Sequence, residues 1–378
     1  MDIPLRRESF WDRTPFRHVD GGLLSVVVVL TLFGLMMVYS ATHRQLAQFG
    51  SDPGRDLKRQ VTFLVVGLVA MVVAAVLDYR VLRMYVPLFY IACVGLLILV
   101  RTPLGSSALG AQRWFQVAGF QFSPSLFTRL GLVMMLAMYL SNVKGEMTLR
   151  AALRATVIGL IPMVLVFLQP DIGTTIILAT ITVAMLVAAG TRTRILVVLA
   201  LAAVIAIFGA FQLHVIHDYQ LQRLRGFLDP SADVQRAGYN KNQAMIAIGA
   251  GGLTGKGYLK GSQTNLSFVP EQYTDFIFTV VGEETGFLGG SLLLVLFAFV
   301  LWRAYRIALL SRDPFGTFLA VGVGSMIAIQ VFVNIGMTLG IMPITGIPLP
   351  FISYGGSALV ADFIGIGLLE NVHMRRSA

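Results

Sequence analysis

Residues 21–41 read GGLLSVVVVLTLFGLMMVYSA, Gly21 to Ala41, without a single charged side chain. A helix needs roughly 20 mostly apolar residues to cross a bilayer, so this stretch alone is long enough to span. Arg6, Arg7, Arg13 and Arg17 precede it, as the basic region of a secretory signal would. A signal peptide's apolar core is only about 7–15 residues long, and further apolar runs follow, so the segment reads as an uncleaved first helix. Working outward, comparable runs fall at about 61–78, 84–101, 124–141, 154–169, 174–190, 195–213, 275–302, 316–341 and 353–371, making ten in all. Residues 154–190 are too long for one span and carry Gln169-Pro170-Asp171 in their middle, a turn that divides them into two.

Composition agrees. Of 378 residues, 56% are hydrophobic and 13% charged, against about 45–50% and about 25% in a soluble domain. That excludes a disordered chain and an ordinary soluble enzyme. The fold class is all-α: a single polytopic membrane domain over 1–378, with about ten transmembrane helices and a long outer loop, 214–274, between helices 7 and 8. The lone cysteine, Cys93, sits in an apolar run and allows neither an intrachain disulfide nor a cysteine metal site.

The net charge is +10. In a membrane protein such an excess signals topology and anionic lipid or phosphate before it signals nucleic acid. With the N-terminus in the cytoplasm, the inner segments hold sixteen Lys and Arg and the short outer segments six. Ten spans then place both termini inside.

Charged groups in or beside spans tend to be functional. Asp275, at the outer start of span eight, follows Pro270 and lies four residues after Glu271, which would put both carboxylates on one helix face. Such a pair either complements the helix dipole or supplies a base of raised pKa. Arg129, about a turn and a half into span four, either snorkels or meets an anionic partner. Asp362, in the last span, either pairs with Arg129 or faces water. Glu370, at a helix end, reaches the cytoplasmic interface. The segment Gly249–Gly257, GAGGLTGKG, fails as a P-loop because Gly257 stands where Ser or Thr is needed. Lys256 within it either neutralises a phosphate oxygen or is a solvated loop lysine. His214 and His217 lack a third metal ligand and read as an interfacial pair. Residues 343–356, PITGIPLPFISYGG, cannot form a regular helix, and such backbone near a membrane lines a protein cavity.

Four stretches together carry a resemblance: Leu168–Thr174 (LQPDIGT); Ala247–Gly249 through Gly255–Gly257; Pro270–Phe278 (PEQYTDFIF) with Glu283-Glu284; and Gly346–Ser357 (GIPLPFISYGGS). The chain resembles the SEDS family (shape, elongation, division and sporulation; RodA, FtsW and SpoVE), and its length and short tails are most similar to the RodA branch. The resemblance implies a peptidoglycan glycosyltransferase of the bacterial inner membrane. Such an enzyme polymerises lipid II into glycan strands at the outer face during cell elongation and releases undecaprenyl pyrophosphate. It implies Asp275 as general base, and substrate binding by Arg59, Arg113, Trp114, Arg129, Asp171, Lys256, Glu271 and Ser353. The implied partners are lipid II, a class B penicillin-binding protein and other elongation-complex membrane proteins, with no nucleic acid. A divalent cation, Mg²⁺ or Mn²⁺, could share the work, since hard cations suit carboxylate and phosphate oxygens. The family pattern Pro-Ser-Glu with a lysine three residues on reads here Pro124-Ser125-Leu126 with Arg129: the basic group is kept, its acidic neighbour is not. The alternatives are a lipid II flippase and a non-catalytic scaffold of the cell-wall machinery.

Overall fold

The computed structural model describes residues 18–108, 111–117, 120–212 and 237–376. His214, His217 and the arginines at 6, 7, 13 and 17 lie outside the described residues. Among those described, eight helices are long and apolar enough to cross a membrane, and two shorter apolar helices join them. These correspond to the ten anticipated spans. They are α1 (Gly21–Gln48), α2 (Arg55–Val76), α3 (Tyr79–Leu99), α4 (Pro124–Ser141), α5 (Leu149–Phe167), α6 (Ile172–Ala188) and α7 (Thr193–Gln212). After α8 (Ala237–Ala250) and the short α9 (Ser262–Asn265) come α10 (Ile277–Leu310), α11 (Pro314–Thr338) and α12 (Gly356–Met374). The chain is a multi-pass membrane protein.

The scarce charged and polar residues sit where helices begin. Asp20 accepts from the Leu23 N–H, Thr148 from Ala151 and Asp171 from Thr174, each satisfying an amide that has no partner inside its helix. The middle of the bundle is α4, α11 and α12, whose apolar residues are buried on most faces. By contrast α2 buries only Asp56, Gln60 and Gly67, and presents Val61, Val65, Val69, Val72 and Val76 outward. An apolar surface of that kind suits lipid, not water.

Antiparallel spans bring alternate helix ends together. The C-ends of α1, α3, α5, α7 and α11 and the N-ends of α2, α4, α6, α10 and α12 therefore share one end of the bundle. The described residues between α3 and α4 lie there and do not form a plain loop. They form an antiparallel sheet, β1 (Ser106–Ala108), β2 (Ala111–Val117) and β3 (Phe120–Phe122), in that order.

Two sequence expectations need correction. Residues 270–276 form turns, not the first turn of a helix: α10 begins at Ile277, and Glu271 takes a positive φ of 53°. The Glu271 and Asp275 carboxylates are thus set by a turn and do not share a helix face. Glu370 is not at the aqueous interface. It is buried, and its carboxylate accepts the Asp20 N–H at 3.0 Å while Arg303 donates to Asp20 at 2.7 Å. A helix end packed under another chain segment has no route to water.

Candidate active site

At the shared end of the bundle lies a cavity of about 850 Å³. α2 contributes Arg55, Asp56 and Arg59, β2 contributes Arg113 and Trp114, and α4 contributes Leu126 and Arg129. Asp171 comes from the head of α6, Glu271, Tyr273 and Asp275 from the turn before α10, and Gly346 and Tyr354 from the irregular 341–355 segment. Seven of the nine anticipated site residues meet here: Asp275, Arg59, Arg113, Trp114, Arg129, Asp171 and Glu271.

Asp275 owes its position to a buried amide. Asn334 of α11, with no exposed surface, donates from Nδ2 to the Asp275 carbonyl at 2.8 Å and to the Ile347 carbonyl at 2.7 Å. One side chain therefore ties the turn before α10 to the irregular 341–355 segment beside it. Gly346 stands against the Asp275 carboxylate with φ of +75°. A Cβ there would come within 3.2 Å of Oδ2, so glycine leaves room beside the carboxylate.

The 353–355 stretch is held by Gln60 of α2. Its Nε2 donates to the Ser353 carbonyl at 3.1 Å, and its Oε1 accepts the Gly355 N–H at 3.2 Å. The Tyr354 N–H donates to the Tyr273 carbonyl at 2.9 Å, and the two rings meet edge-on at 5.6 Å. Burial first, then the Glu271 carboxylate, pushes the Tyr273 phenol up to about 12. Burial and the Asp56 carboxylate likewise raise Tyr354. Both remain neutral phenols at physiological pH.

Arg113 grips the turn ahead of α6. Its Nε donates to the Gln169 carbonyl at 2.8 Å, a second nitrogen donates to the Pro170 carbonyl, and Nη1 stands 3.9 Å from Asp171 Oδ1. Asp171 also caps α6 through the Thr174 N–H at 3.1 Å and the Thr174 hydroxyl at 2.9 Å. Arg129 differs. It is 1% exposed, donates from Nη1 to Gln330 Oε1 at 2.5 Å, and its Nε and Nη2 have no hydrogen-bond partner among the described residues.

Lys256 and Ser353 are placed elsewhere. The Lys256 ammonium donates to Glu283 at 2.8 Å and to Ser262 at 2.7 Å, outside the cavity lining. Its charge is answered by a buried carboxylate. Buried Ser353 accepts the Leu349 N–H at 2.8 Å and shapes its own turn. The expected Arg129–Asp362 pairing is indirect, because Gln330 stands between the two. Sequence reasoning passed over Arg55, Asp56, Tyr273, Tyr354 and Asn334. Arg55 and Asp56 stand in the first turn of α2, just before Arg59, and Asn334 is an amide in an apolar span, so these three left a readable trace.

The cavity gathers four arginines and four carboxylates at one end of a lipid-facing bundle. It can hold an anionic head group while offering a carboxylate to a hydroxyl. The comparisons agree in kind. The chain is 37% identical over 372 residues to the peptidoglycan glycosyltransferase MrdB of Escherichia coli K12, covering 98% of this chain and 96% of that one. It is 38% identical to stage V sporulation protein E of Bacillus subtilis, covering 93% and 96%. Among solved structures, it is similar to a chain from the structural coordination of polymerization and crosslinking by a peptidoglycan synthase complex (TM-score 0.79, 29% identity, 95% and 98% covered). It is also similar to the rod shape determining protein RodA of Thermus thermophilus (TM-score 0.70, 29% identity, 95% and 98% covered). The sequence profile of the cell cycle protein family FTSW_RODA_SPOVE matches residues 22–378, and the chain belongs to that family.

Proposed function

We propose that the cavity is the site at which this chain, a peptidoglycan glycosyltransferase, extends glycan strands from lipid II, with Asp275 as the base. The observation that carries the reading is the gathering of Asp275, Arg59, Arg113 and Arg129 around one space at one end of the bundle. In glycosyl transfer the acceptor sugar's 4-hydroxyl attacks the donor's anomeric carbon. The bond from that carbon to the pyrophosphate oxygen breaks as the new glycosidic bond forms. A carboxylate within reach of the hydroxyl takes its proton, while cationic groups stabilise the charge on the departing pyrophosphate. Asp275 suits the first task and the arginines the second. The Tyr273 and Tyr354 rings give the sugars an apolar wall.

The cavity faces outward in this reading, with both termini in the cytoplasm. Arg80, Arg83, Lys144, Arg150, Arg192, Arg194, Arg312 and Arg375 at the opposite end support that orientation. Among the described residues no group of three or more His, Cys, Asp or Glu is placed to hold a metal ion. A protein-only cage does not fit. A Mg²⁺ or Mn²⁺ ion would enter with the pyrophosphate oxygens, which is how Mg²⁺ commonly sits in phosphate sites. The likeness to a peptidoglycan synthase complex supports a class B penicillin-binding protein as partner in elongation.

The test is polymerisation of lipid II by purified protein, with and without such a partner, beside Asp275→Asn of matching thermal stability. Glycan chains from the wild type and none from the variant are expected. Equal polymer from both would remove Asp275 from the mechanism.

A further inference from the structure

Arg129 poses a problem that the site as described does not answer. A guanidinium taken out of water loses several kcal/mol of hydration, and this one is 1% exposed within a transmembrane helix. Its hydrogen-bonding partner is neutral: the Gln330 carbonyl oxygen at 2.5 Å. Gln330 itself has no exposed surface. Its Nε2 faces the Asp362 carboxylate at 3.4 Å and the Met326 carbonyl at 3.2 Å. A side-chain amide has one acceptor end and one donor end. Asp362, an acceptor, holds the donor end toward itself and so turns the acceptor end toward Arg129. The counter-charge thus acts across an amide from behind the cavity wall. The other carboxylate whose field reaches Arg129, Asp171, is committed to Arg113 and to the α6 cap.

The consequence lies on the cavity side. Position 126, three residues before Arg129 on the same helix and in the same lining, is leucine. Residues three apart on a helix are neighbours, so a carboxylate there would take up the guanidinium from the front. With leucine in front and the relay behind, Nε and Nη2 are left buried and without a hydrogen-bond partner among the described residues. Buried donors in that state are costly unless a ligand completes them. We propose that Gln330 and Asp362 are positioning residues: they hold Arg129 charged and oriented so that two of its nitrogens take the phosphate oxygens of a lipid-linked pyrophosphate. This rests on the glycosyltransferase reading of the cavity.

The test separates the two. Binding of undecaprenyl pyrophosphate to the folded protein is followed through the fluorescence of Trp114, which lines the cavity, without any need for turnover. Asp362→Asn, nearly the same shape, and Gln330→Leu should each weaken that binding by about tenfold or more, the size of a charge-assisted contact. The lipid II KM should rise in parallel, with kcat within about threefold. The variant Leu126→Glu, which sets a carboxylate against the guanidinium from the cavity side, should weaken that binding to a like degree, because it occupies the nitrogens the phosphate would take. Two results would overturn the proposal. One is a folded D362N that binds undecaprenyl pyrophosphate as the wild type does. The other is a fall in thermal stability or kcat with binding unchanged, the mark of a packing role. If instead binding behaves as expected but the wild type forms no polymer, the glycosyltransferase reading fails and the anion site stands.

Discussion

Two cations near one end of the same bundle, Lys256 and Arg129, have opposite surroundings. Lys256 meets Glu283, whose carboxylate also accepts the Gln263 N–H at 2.9 Å, the Thr264 N–H at 2.9 Å and the Thr264 hydroxyl at 2.8 Å. That carboxylate is saturated. Around it, the Lys256 and Gly257 N–H groups donate to the Glu283 and Glu284 carbonyls, and Phe287 and Leu288 donate to Gly252 and Leu253. Helix α10 breaks its own ladder here, at Gly286 with φ of +66°, and the glycine-rich strand of loop takes over the freed groups. A side chain at 286 would collide with the Leu253 carbonyl. The Lys256–Glu283 cluster is therefore a fastening that pins the segment before the active-site turn onto α10. Among the described residues, Arg129 has one hydrogen-bond partner and two nitrogens with none. A completed buried network rigidifies, whereas an incomplete one awaits a ligand or a water. The difference between a closed and an open hydrogen-bond ledger, not the depth of burial, separates scaffold from site.

That contrast can be broken from the active-site side first. Asp275→Asn should lower the polymerisation rate by about 10²–10⁴-fold, the usual contribution of a general base, with no change in thermal midpoint. Gel separation of glycan chains and a melting scan in detergent read both. On the fastening side, Glu283→Ala leaves Lys256 and two backbone amides without their acceptor. A loss of about 3–5 kcal/mol is expected, as when one partner of a buried pair is removed, with the melting midpoint falling accordingly. A Glu283→Ala protein as stable as the wild type would erase the distinction. Arg129→Met should do the reverse: no loss of stability, because an incompletely partnered buried cation is replaced by an apolar side chain, but a rise in lipid II KM of about 10- to 100-fold. Lys256→Met should be smallest, about 1–2 kcal/mol of stability with KM unchanged, since Glu283 keeps its other donors. A KM effect from Lys256→Met would return that lysine to the substrate site.

Legibility in the sequence followed the range of the interactions. The spans were readable because about 20 apolar residues in a row have one stable home. The Pro/Gly segment 343–356 was readable as cavity-lining because proline cannot complete a helix ladder. Arg113, Trp114 and Asp171 were named through the family resemblance, and the structure places all three on the cavity wall. The sheet over 106–122 was not, because strands of three residues show too little alternation to register. The turn at 270–276 was misread as helix because Pro270 suits a first helical position equally well. Glu370 was misplaced because only packing decides whether a helix end meets water.

The sequence by itself determined that this chain crosses the membrane about ten times, that its charges are too few to be casual, and which short motifs tie it to its family. Those conclusions depend on local hydropathy and residue order, which any stretch of chain carries with it. The tertiary structure decided which charges face one another. It gave Lys256 to Glu283, set Gln330 between Arg129 and Asp362, and used Asn334 to hold Asp275 at the cavity wall. Such pairings join residues as much as 201 positions apart, as with Arg129 and Gln330. Their strength depends on burial that exists only once the helices have packed.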